Sequence, residues 1–171
     1  MIVTLNKVRP TIPEDCFVAE NATIVGNVVV GNYCSIWFNA VIRGDVDSIT
    51  IGNKVNIQDG AVIHCTYQKH ATIIGNNVSI GHNAIVHGCV IEDNVLVGMG
   101  SIIMDNCHIG TNSIIAAGAV VVQNTVVPSG SIYAGVPAKW VKDIDKSDFA
   151  GEIERIADNY VMYSQWYKEE K

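Results

Sequence analysis

Several ingredients are scarce in this chain of 171 residues. No apolar run approaches the roughly 18 residues that a membrane-spanning helix needs, although 49% of the residues are hydrophobic. Basic side chains number only 11 against 17 acidic ones, for a net charge of -6. That balance excludes the cationic surface by which a protein holds nucleic acid. The 5 cysteines are an odd number and contain no CxxC pair, so no disulfide framework is expected and a reduced, cytoplasmic setting is the simplest account. Residues 1–10 show neither the charged nor the apolar region of a signal peptide. A single soluble domain with a full core is the expectation.

What is present is a six-residue repeat. Apolar anchors recur from Ile12 through Val18, Ile24, Val30, Ile36 and Ile42, then Ile51, Ile57 and Ile63, then Ile74, Ile80 and Val86. After one step of five they run through Ile91, Val97, Ile103, Ile109, Ile115, Val121, Val127 and Tyr133. Four residues after most anchors stands a small or β-branched residue, such as Ala22, Cys34, Val46, Ala61, Ala84, Val90 and Ala119. Cys16 and Cys107 fall at the same position, where a thiol serves as a packing group. Gly often follows the anchor, as at Gly52 and Gly98, and Asn falls at the corners, as at Asn94 and Asn112. Both residues tolerate the positive φ that a sharp corner needs.

Period six fits neither an alternating strand nor an amphipathic helix. It suits a three-faced prism in which each face takes one hexapeptide and each turn stacks on the next as parallel strands, roughly 4.8 Å apart. The pattern resembles the left-handed parallel β-helix of hexapeptide-repeat proteins over about residues 12–138. Handedness comes from that resemblance, because parallel crossovers are otherwise right-handed. The all-β prism is expected over residues 1–142, with a C-terminal α-helix over 143–171 packed on it. Ser147 is the expected N-cap, followed by Asp148, and Phe149, Ile153, Ile156, Tyr160, Tyr163 and Tyr167 form one helical stripe. Tyr133 to Lys139 is the expected link.

The repeat places three histidines in space. With the irregular gaps treated as loops that skip no face, Ile42, Ile63 and Val86 share a face, so Arg43, His64 and His87 form a column one residue beyond them. Ile57 and Ile80 share another face, and Asp59 and His82 each follow by two. His64 and His87 can therefore share one metal ion, whereas His82 lies too far round its own prism. A closed head-to-tail trimer sets one face of each subunit against a different face of the next, and so brings His82 to the neighbour's His64 and His87. Three imidazoles with an open position are the donor set of a catalytic zinc site. Imidazole accepts iron or cobalt as well. Cys65 is not expected to be a ligand, and His70 and His108 read as surface residues.

The ordered motifs Arg43-Gly44-Asp45, Asn56-Ile57-Gln58-Asp59-Gly60, His64, Gly81-His82 and Val86-His87-Gly88 resemble the gamma-class carbonic anhydrase family. The resemblance implies reversible hydration of carbon dioxide to bicarbonate by a metal-bound hydroxide at the interface of a homotrimer, a lyase reaction. It also implies that His64, His82 and His87 bind the metal, that Gln58 lies beside its water, and that Arg43, Asp45 and Asp59 shape the site and the interface. Two features depart from the best-studied members and resemble the family's short-loop subgroup: Val46 follows Asp45 where a glutamate stands soon after that motif, and the loop after His64 differs. The loop Cys65-Thr66-Tyr67-Gln68-Lys69-His70 is short and carries no carboxylate to pass protons. Two other readings accompany this one: thioester hydrolysis or acyl transfer by a hexapeptide-repeat enzyme, and a metal-binding protein without turnover.

Overall fold

The computed structural model describes residues 1–144 and 151–169, and over them the repeat winds into a parallel β-helix of stacked short strands. This is the three-faced prism expected for the left-handed hexapeptide form. Every anchor from Ile24 to Val127 is at most 3% exposed. Along the axis they form three continuous apolar columns, because each strand stands in register on the one a turn below. A side chain one place along a strand points to the other side of the wall, so the residues flanking each anchor line the outside of the prism, where Ser35, Trp37, Asn56, Gln58 and Ser79 on one face are nonetheless buried.

The first face stacks Phe17–Val18, Ser35–Ile36, Asn56–Ile57, Ser79–Ile80, Leu96–Val97 and Ile114–Ile115. The second stacks Val41, Val62–His64, Ile85–His87, Ile102–Ile103 and Val120–Val121. The third stacks Ile49–Ile51, Thr72–Ile74, Val90–Ile91, His108–Ile109 and Val126–Val127. One long strand, Val41–Ile51, crosses from the second face to the third and joins them in a single sheet.

Three local expectations are corrected. Val46 and Val90 do not occupy the small inward position. That position lies two residues before the next anchor, so the irregular steps give it to Ile49 and Cys89, which are at most 1% exposed. The glycines that follow anchors are needed for clearance rather than for positive φ: a Cβ on Gly52 would stand 2.6 Å from the carbonyl oxygen of Gly75. The link does more than connect, since Lys139–Asp143 turns back antiparallel along Ser131–Ala134 and ends the solenoid.

The helix α1 (Glu152–Glu169) packs along the first face of its own chain. Ile153, Ala157 and Ser164 are its buried residues, with Ile156, Tyr160 and Tyr163 half-buried. Tyr167, expected in the stripe, keeps one side open to solvent but lays its ring against Phe17, Trp37 and Phe38 of the wall. The helix crosses four successive strands of that face, and Tyr160 meets Trp37 edge to face with ring centroids 5.4 Å apart. Ser147, Asp148 and Phe149, the expected start of this helix, lie outside the described residues. None of the described helices is long and apolar enough to cross a membrane.

Candidate metal centre

The parallel register sets His64 directly beside His87, as Val86 pairs with Ile63. Their rings meet edge to face with centroids 5.0 Å apart. His64 Nδ1 and His87 Nε2 face each other at 3.0 Å. Each ring turns its other nitrogen to a carboxylate: His64 Nε2 lies 3.0 Å from Asp45 Oδ1, and His87 Nδ1 lies 2.8 Å from Asp105 Oδ1. Asp45 also pairs with Arg43, and Asp105 accepts a hydrogen bond from Thr66 Oγ1. The backbone behind the pair is tied by Thr72, whose hydroxyl donates to the His64 carbonyl and accepts from Gly88 N–H.

Hydrogen-bond counting shows what this row accommodates. Three contacts in series require three ring protons, and two neutral imidazoles carry two. Burial raises both carboxyls, but hydrogen bonds from His64 and Arg43 on Asp45, and from His87 and Thr66 on Asp105, outweigh it and hold them below the usual range. The carboxylates are thus anions, and with neutral rings one of the three contacts is left without a proton. Facing imidazole nitrogens backed by carboxylates are the donor chemistry of a divalent metal site, in which the outer carboxylate fixes the ring and raises its basicity.

His82 stands at the corner between the first and second faces. Asp59 lies one turn below it, and Asp59 Oδ2 is 2.9 Å from His82 Nδ1. The ring's Nε2 has no partner among the described residues and the side chain is 41% exposed. This histidine therefore repeats the carboxylate–imidazole pairing of the other two at the far edge of the second face. Within one chain, the described residues hold no cluster of three His, Cys, Asp or Glu able to bind a metal.

Gln58 is buried under α1 rather than open to a site on its own chain. Its Nε2 donates to Asn56 Oδ1 at 2.9 Å, and its Oε1 accepts from His82 N–H at 3.2 Å. Asn56 in turn donates to Ser79 Oγ at 2.7 Å. A buried polar chain therefore ends on the backbone that carries His82. Above the same corner stand Trp37, Phe38 and the helix residues Tyr160, Tyr163, Trp166 and Tyr167. Burial and then the charge of Asp59 push the Tyr160 phenol up to about 12.

The remaining candidates separate cleanly. Cys65 points inward and donates to the Asp47 carbonyl, and its burial raises the thiol. His108 pairs with Glu92 on the third face, away from the other histidines. Asp105 is the residue sequence reasoning missed. Its signal was available, since it follows His87 by 18 residues, one full turn of the prism.

The family described as bacterial transferase hexapeptide (six repeats) matches residues 9–44 and 88–123. A probable carbonic anhydrase of Methanocaldococcus jannaschii is 58% identical over 85% of this chain and 89% of its own length. The mitochondrial gamma carbonic anhydrase 2 of Arabidopsis thaliana is 37% identical over 94% of this chain and 59% of its own. Among solved structures, a putative acetyltransferase of Bacillus cereus superposes with a TM-score of 0.95 at 39% identity, covering 99% of this chain and 98% of that one.

Proposed function

The chain belongs to the gamma carbonic anhydrase-like family of hexapeptide-repeat proteins, and on that footing we propose that it hydrates carbon dioxide reversibly to bicarbonate at a metal centre shared between subunits of a homotrimer. His64 and His87 of one subunit and His82 of the next would hold the metal, with zinc the first choice and iron or cobalt accepted by the same donors. The observation that carries the reading is the pairing of each histidine with its own carboxylate, Asp45, Asp105 and Asp59. A metal held there supplies Lewis acidity and lowers the pKa of water to about 7, a value general to carbonic anhydrase zinc and not one read from this chain.

The chain's own groups act around that centre. Asp45, Asp105 and Asp59 fix the tautomer and direction of the three rings. Gln58 positions His82 through its backbone, and its spare amide hydrogen lies at the same corner. Arg43, 45% exposed beside Asp45, offers a cation to the bicarbonate product. Hydration releases a proton, and the loop 65–71 gives it no carboxylate to travel by. A stopped-flow assay of carbon dioxide hydration by metal-loaded protein is expected to show turnover above the buffer background. A rate equal to background would sink the reading.

Asp105 supplies a graded test. Asp105→Asn keeps the shape but loses the anion behind His87, and metal affinity is expected to fall by about 10–100-fold. Competition with a calibrated chelator reads this directly. A second reading, hydrolysis or transfer of an acyl thioester at the same centre, is favoured by the missing carboxylate in the loop and by the close likeness to the putative acetyltransferase of Bacillus cereus. Parallel assays with carbon dioxide and acetyl-coenzyme A distinguish the two.

A further inference from the structure

The second face runs between two unlike edges. At one edge lie His82 and Asp59, and beside them a groove of about 270 Å³ walled by Trp37, Phe38, Tyr163, Trp166 and Tyr167. At the opposite edge lies the loop that follows His64. Thr66 and His70 pair backbone to backbone across its base, Thr66 Oγ1 is anchored on Asp105, and Gln68 turns its tip with φ 51°. The loop is thereby a pinned projection, and it presents Tyr67 at 64% exposure. Trp166 is 55% exposed in the groove. Within a single chain Tyr67 is not among the residues that line the groove.

A closed ring of three subunits is built from head-to-tail contacts between unlike surfaces, and in the trimer proposed above the His82 edge of one subunit meets the His64 edge of the next. Any arrangement that carries His82 to the neighbour's His64 also carries the groove, whose wall includes His82, towards the loop that begins one residue past His64. We propose that Tyr67 of each subunit docks into the aromatic groove of the next and locks the shared metal site. The inference rests on the trimeric reading above. Three observations favour this occupant. The groove is continuous with the His82 half-site. Its rings offer the edges and faces that a further aromatic ring packs against. Exposed Lys69 on the same loop brings a positive charge towards the Asp59 carboxylate in the groove wall.

The test is chemical cross-linking of the metal-loaded protein. Subunits carrying both Tyr67→Cys and Tyr163→Cys are treated with a short bismaleimide and run under denaturing conditions. Covalent dimers and closed trimers are expected from the double variant and not from either single variant, since the 5 native cysteines are all buried. A native mass of three subunits without cross-links overturns the docking and leaves the trimer standing. A monomeric native mass overturns both. Tyr67→Ala and Tyr67→Phe give an independent readout: the first is expected to raise the trimer dissociation constant about tenfold or more, and the second to leave it near wild type. Equal dissociation constants for wild type and Tyr67→Ala overturn the proposal.

Discussion

Mixing subunits that lack His82 with subunits that lack His64 is expected to restore metal that neither pure protein holds. In pure His82→Ala every site keeps two donors, and in pure His64→Ala it likewise keeps two. Loss of a donor weakens binding by more than the roughly 10–100-fold attached to an outer carboxylate, so both proteins are expected to come off a chelating column empty. In a ring of three, each site joins the His64 and His87 edge of one subunit to the His82 edge of the next. Any mixed ring contains one junction at which an intact His64 edge meets an intact His82 edge. Equal mixing after refolding makes about three rings in four mixed, so about one site in four is expected to regain metal. Elemental analysis of the re-formed trimers measures it. A site built within one chain predicts no recovery, and retention of metal by pure His82→Ala would contradict the sharing directly.

The placement on which this rests was largely legible from spacing. His64 and His87 are 23 residues apart, yet the anchors Ile63 and Val86 already put them on one face, and the strands pair in that register. Asp59 and His82 were equally readable, and they make the side-chain contact their shared column implies, 2.9 Å from Oδ2 to Nδ1. Asp45 and Arg43 were named as shaping the site and the interface, and the structure shows Asp45 in contact with His64. What spacing did not convey was side-chain direction beyond the first atom. Gln58 turns under α1 to Asn56 and the His82 backbone, because the helix covers that strip of the wall. The helix stripe was legible as well: Ile153 is buried, Tyr160 and Tyr163 pack against the core, and Tyr167 lays its ring against Phe17, Trp37 and Phe38. The irregular steps misled locally, since counting forward from Ile42 or Val86 gives Val46 or Val90, while the wall counts back from the next anchor to Ile49 and Cys89.

The glycines give the sharpest case, and the second large effect. Gly52→Ala and Gly100→Ala are expected to destabilise the protein for different reasons and by different amounts. Gly52 lies in a straight rung, and its new Cβ would meet Gly75 oxygen at 2.6 Å and Gly75 carbon at 2.7 Å. Those are backbone atoms of the next turn, so relief means moving one rung off another. Overpacking typically costs about 1–3 kcal/mol and occasionally more, and a clash against main chain in a stacked solenoid belongs at or above the upper end, because each turn is supported only by its neighbours. Gly100 is the opposite: nothing lies within 4 Å of its Cβ position, but its φ is +66°. An alanine there costs about 1–2 kcal/mol of left-handed backbone strain. The same corner in lower turns is held by Asn39 and Asn83, with φ of 59° and 56°, so the fold already accepts asparagine in that conformation. Urea unfolding of four variants therefore has a crossed outcome. Gly100→Asn is expected to recover most of what Gly100→Ala loses, whereas Gly52→Asn is expected to be at least as damaging as Gly52→Ala. If asparagine rescued both positions equally, conformational freedom would account for both glycines and the close stacking of the rungs would not be what position 52 reports.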